Sequence, residues 1–135
     1  MNLWTYLVVM AGGACGTLAR FVVADLMTPL SRQLPVGTIA INITGSFLIG
    51  LFGTLTLSHG RYPVPESLRM FVMIGFCGGY TTFSSFSLQT MELLQAGETV
   101  AAALYILASV GLCLAGVFLG YWIATHIGLP AQTEP

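Results

Sequence analysis

The chain is 135 residues long, 56% hydrophobic and 7% charged, with a mean hydropathy of +0.86, where a soluble domain spends about a quarter of its residues on charge. Four arginines, five acids and no lysine are too few to wet a globular surface or to grip a phosphate backbone, which excludes most soluble enzymes and any basic nucleic-acid-binding surface. The charges leave uncharged intervals at 1–19, 33–60, 70–91 and 99–133, each able to hold the roughly 20 residues that cross a bilayer. A single membrane domain over 1–135 with four helical spans is predicted.

Span one covers about 3–26 and opens on Trp4 and Tyr6, amphipathic rings that favour the headgroup layer. With no basic leader and no convincing processing site, it is expected to stay in the mature protein. A polar stretch with Pro29, Ser31, Arg32 and Pro35 separates it from span two, about 36–57. The turn formers Ser58, His59, Gly60, Arg61 and Pro63 come next, and Pro65 with Glu66 opens span three, about 66–94. Gln95 to Glu98 form a tight connection to span four, about 99–127, which carries Tyr121 and Trp122 near its end before a polar tail from Pro130. Cys15, Cys77 and Cys113 are odd in number and lie inside apolar intervals, so buried packing rather than disulfide bonding is expected of them.

Three G-x-x-x-G pairs, Gly12 with Gly16, Gly75 with Gly79 and Gly116 with Gly120, read as sites of close helix approach in lipid. Four such helices bury little among themselves, which points to an oligomer. Four spans put Arg61 and Arg69 on one side of the membrane and Arg20 and Arg32 on the other. The positive-inside rule then gives no preferred orientation. Either one arginine is buried and does not count, or copies insert both ways and pair antiparallel.

No metal, phosphate or nucleophile motif appears, and His59 and His126 sit at a loop and a helix end without evident partners. Asp25, Glu92 and Glu98 lie toward span ends, which argues against proton coupling through an embedded carboxylate. An enzyme is not expected. Span three instead carries six hydroxyls between Thr81 and Thr90, after Gly78-Gly79. Two readings stand: a helix broken where it lines a cavity, or a regular helix with hydroxyls bonded back to their own carbonyls. Phe83 and Phe86 share one helical face, either as core packing or as ring edges, partly positive, offered to a dehydrated anion. Asn42, central in span two, is either a helix-to-helix hydrogen-bonding group or a pore-lining donor. Together these favour an uncharged path for a small, strongly hydrated anion.

Gly12-Gly13-Ala-Cys-Gly16-Thr-Leu-Ala-Arg20, Gly37-Thr38-Ile-Ala-Ile-Asn42-Ile-Thr-Gly45-Ser-Phe and Gly75-Phe-Cys-Gly78-Gly79-Tyr-Thr81-Thr82-Phe83-Ser-Ser-Phe86-Ser resemble the Fluc/CrcB fluoride channel family, and the likeness covers essentially the whole chain. The resemblance implies an all-α membrane protein with a break in the third helix. It also implies an antiparallel, dual-topology homodimer with two fluoride pores in the bacterial inner membrane, exporting fluoride passively and protecting against its toxicity. The partners implied are fluoride, sodium, membrane lipid and a second copy, with no nucleic acid. Phe83, Phe86 and Asn42 match pore positions, with Ser84 and Ser85 beside them, and Tyr105, Ser109 and Gln89 match a polar track. The carbonyls of Gly78 and Thr81 match a structural sodium site at the dimer interface, and Arg20 matches a vestibule position. Gln89 stands where some members have glutamate, Ser85 where threonine is common, and Cys113 where a serine can occur. The alternative is a small dual-topology multidrug or cation antiporter, which needs a carboxylate in span one where this chain has only Gly12, Gly13 and Cys15. A structural subunit of a larger membrane complex is a third reading, and it leaves the hydroxyl run unused.

Overall fold

The computed structural model describes residues 3–57 and 62–128. His59, Arg61 and the tail from Pro130 lie outside the described residues. The regular structure among the described residues is all helical, with α1 over Leu3–Leu26, a 3-10 turn at Thr28–Leu30, α2 over Val36–Leu55 and α6 over Thr99–Gly128. Between α2 and α6 lies the third span, Glu66–Gln95. Among the described residues, four helices are thus long and apolar enough to cross a membrane. Large apolar side chains such as Phe21, Leu107 and Phe118 are exposed, the reverse of a water-soluble surface and suited to lipid or to another copy.

Span two stops at Leu55, two residues short of the expected Leu57. Thr56 bonds back through Oγ1 to the Phe52 carbonyl (2.6 Å), and Arg69 Nη1 donates to Thr56 Oγ1 (2.6 Å) and to the Gly53 carbonyl (3.0 Å). A cation is favourable at a helix C-terminus, where carbonyls lack helical partners. This tether ties the start of the third span to the end of α2.

The third span is the least regular. It begins as α3, Glu66–Arg69, with Pro65 just before it, and widens into a π-helical stretch at Met70–Phe76. It narrows again to α4, Cys77–Tyr80, and resumes as α5, Phe83–Gln95. Between them Thr81 (φ −78°, ψ 157°) and Thr82 (φ −151°, ψ 108°) are extended. α5 ends with Gly97 at φ +79°, where the Glu98 N–H reaches the Leu93 carbonyl (2.9 Å) and the Gly97 N–H the Leu94 carbonyl (3.1 Å). Glycine adopts that left-handed conformation at low cost, which makes the connection to α6 tight.

The small residues set the packing. A Cβ on Gly12 or Gly16 would overlap the carbonyls of Phe71 or Phe76, and one on Gly75 would stand 2.8 Å from the Gly12 Cα. α1 and the third span therefore meet backbone to backbone. α2 and α6 do the same, with Gly50 against Val117 and with Gly116 and Gly120 against the Ile43 and Phe47 carbonyls. Cys77 is buried as expected, but Cys15 is exposed on α1 and Cys113 is only partly covered. Burial of all three was too broad an expectation, because α1 covers only its glycine face.

Candidate functional site

Extended backbone in a membrane span leaves amides and carbonyls that must find partners. Asn42 supplies them. Its Oδ1 accepts from the Thr82 N–H (2.8 Å) and its Nδ2 donates to the Thr82 carbonyl (3.1 Å), so one side chain satisfies both polar groups of one residue. Thr82 in turn caps α5, its Oγ1 accepting from the Ser85 N–H (3.2 Å). Gly45, one turn below Asn42, makes room for the Thr81 methyl, which any Cβ at that position would strike. Thr44 sends its one proton to backbone carbonyls of α2, so Tyr80 Oη donates to it (2.9 Å). Three α2 residues thereby hold the Tyr80–Thr82 stretch.

A cleft of about 330 Å³ opens beside this stretch, lined by residues that include Asn42, Thr81, Phe83, Phe86 and Ser109. Phe83 and Phe86 have ring centroids 5.2 Å apart at 49°. Phe86 is buried while Phe83 is 76% exposed, so one ring belongs to the chain's interior and the other is presented outward. Ser109 is 5% exposed and its Oγ has no hydrogen-bond partner. A buried hydroxyl left without a partner costs on the order of 1–3 kcal/mol, and Ser109 is among the residues that line the cleft.

The remaining candidates fall into distinct places. Tyr105 is fully buried, packs its ring on Phe86 at 5.2 Å and donates from Oη to Gln89 Oε1 (2.7 Å). Gln89 lines a second cavity. Ser84 and Ser85 do not line the cleft; their hydroxyls cluster with Thr82 Oγ1 at 3.2 and 3.0 Å around the start of α5. Arg20 is half-buried on α1 and lines neither cavity. The hydroxyl run divides between the two readings of the sequence: Thr81, Ser87 and Thr90 bond back to the carbonyls of Cys77, Phe83 and Phe86, whereas Thr82, Ser84 and Ser85 form the cap.

Among the described residues no group of three His, Cys, Asp or Glu side chains is placed to hold a metal. Backbone carbonyls are the available donors. In an unbroken helix the Gly78 and Thr81 carbonyls would accept from the N–H groups of Thr82 and Ser85, and here those amides turn to Asn42 Oδ1 and Thr82 Oγ1. Gly78 is also exposed, and a Cβ there would meet nothing within 4 Å. Two hard oxygen donors without helical partners are the chemistry an alkali cation takes.

Sequence reasoning passed over Thr82 and Ser46. Thr82 is the pivot of the site, yet its pairing with Asn42 spans 40 residues and leaves no local signal. Ser46 lines the cleft and follows Asn42 by one helical turn, a spacing that marks it as a neighbour on the same face.

A family model described as CrcB-like protein, Camphor Resistance (CrcB), matches residues 7–121. The chain is 61% identical over 126 residues to a Methylobacterium radiotolerans protein named fluoride-specific ion channel FluC, covering 93% of this chain and 88% of the relative. Proteins of the same name from Gluconobacter oxydans and Methylocella silvestris are 57% and 51% identical, each over 90% of this chain and over 85% and 94% of their own lengths.

Proposed function

The chain belongs to the CrcB-like family, and on that premise we propose that it is a fluoride-selective channel. In this reading it passively exports fluoride across the bacterial inner membrane and so protects the cell. The observation that carries the reading is the uncharged cleft, where an unpartnered buried hydroxyl, an amide and two phenylalanine rings converge with no acid among its lining residues. Fluoride enters cells as neutral hydrofluoric acid and dissociates inside. An inside-negative potential then favours exit of the anion by about 2.3 kcal/mol per 100 mV. A passive pore therefore suffices, and few well-placed donors in a narrow path discriminate by dehydration.

The working unit in this reading is an antiparallel dual-topology dimer with two pores. The balanced arginines support it, as do the exposed Phe83 ring and the open face at Gly78, which one chain leaves without cover. The extended Thr81 and Thr82 act as the break in the third helix, and Asn42 holds that break in shape. The Gly78 and Thr81 carbonyls of both copies would hold sodium, which when bound supplies a fixed positive charge at the dimer centre. Phe83 and Phe86 then guide the anion by their ring edges, and Ser109, Tyr105 and Gln89 continue the path. The antiporter alternative is not favoured, since no carboxylate lines the cleft.

Phe83→Ile is the test. Isoleucine keeps an apolar side chain at this outward-facing position, so the variant is expected to keep the dimer while fluoride efflux from liposomes falls to the level of empty vesicles. Wild-type efflux in this variant would show that the path runs elsewhere.

A further inference from the structure

A second cavity, of about 220 Å³, lies between the connection from α1 to α2 and the end of α5; Arg32, Gln33, Gln89 and Glu92 are among its lining residues. Its wall is fixed. Ser31 Oγ donates to the Met27 carbonyl (3.0 Å) and accepts from the Gly37 N–H (3.1 Å), which pins the short loop carrying Arg32 to both helices. The cavity also communicates with the candidate path through contacts. Gln89 accepts from Tyr105 Oη through Oε1, and Tyr105 packs on Phe86, which lines the first cleft. Because Tyr105 occupies the acceptor end of the Gln89 amide, the end left to an incoming ion is the donor NH2.

We propose that this cavity is the mouth of the ion path at the Gln89 end, where Arg32 concentrates the anion, Glu92 opposes it, and the Gln89 amide hands it to Tyr105. The inference rests on the fluoride-channel reading and adds two charged residues that set the rate at low fluoride. A unit charge about 6 Å away in water changes the local concentration of a monovalent anion about threefold. Salt removes the effect, because the screening length falls from about 30 Å at 0.01 M to about 3 Å at 1 M.

The experiment is fluoride efflux from liposomes holding full-length wild type, Arg32→Gln, Arg32→Lys or Glu92→Gln, at limiting fluoride and at ionic strengths near those two limits. At low salt Arg32→Gln is expected to run about threefold slower than wild type and Glu92→Gln about threefold faster, with Arg32→Lys unchanged. At high salt all four converge. Equal rates for all four proteins at low salt would overturn the assignment, as would an Arg32→Gln deficit that persists undiminished at high salt and so reports a structural defect. If wild type itself moves no fluoride, the channel reading fails and this one with it; a working wild type with charge-indifferent variants sinks this inference alone.

Discussion

Asn42→Asp is expected to reduce fluoride efflux by at least about a hundredfold while the protein still purifies as the same oligomer. The substitution changes almost no volume, so the effect is electrostatic. One carboxylate oxygen can still accept from the Thr82 N–H, but the other would face the Thr82 carbonyl, where Asn42 now donates over 3.1 Å. The new negative charge also stands on the wall of the cleft proposed as the anion's path. At an effective dielectric constant of 20 a like charge about 4 Å away costs about 4 kcal/mol, on the order of a thousandfold in rate. Efflux at the wild-type rate would show that Asn42 serves packing alone and that the anion does not pass beside it.

Gly16→Val is expected to be the most damaging substitution for folding. Its Cβ would overlap the Phe76 carbonyl and stand 2.9 Å from the Tyr80 nitrogen, and backbone atoms cannot rotate away as a side chain does. The loss is about 3 kcal/mol or more, the upper range of overpacking, against a total stability of roughly 5–15 kcal/mol. Thermal unfolding in detergent reads it directly. Gly13→Ala, three residues away on the same helix, is the matched control, since its Cβ would lie 4.0 Å from the Gly75 carbonyl, an ordinary contact. Equal melting of the two variants would contradict the backbone-to-backbone packing of α1 on the third span.

The parts of this molecule written in local pattern were readable, and those that depend on pairing across the chain were not. Charge spacing sufficed for the four spans because a bilayer tolerates charge only near span ends, and α1 ends at Leu26 where Asp25 and the Thr28–Leu30 turn interrupt the apolar run. Glycine spacing likewise marked both close helix contacts. The π-helical Met70–Phe76 had no signature, because an apolar run reads the same whether it turns every 3.6 residues or slightly more slowly. Hydroxyl density at Thr81–Thr90 pointed to a polar lining, yet half of those hydroxyls serve their own helix. The partnership of Asn42 with Thr82 required the fold. It also joins the two readings of Asn42, since a group that hydrogen-bonds the neighbouring span can line the cleft at the same time.

Selectivity in a purified system bears on the central claim more directly than any variant. Wild-type protein in liposomes loaded with either potassium fluoride or potassium chloride, with a potassium ionophore to balance charge, is predicted to release fluoride rapidly and to retain chloride as empty vesicles do. Fluoride release no faster than from empty vesicles, or chloride release at a matching rate, would contradict it.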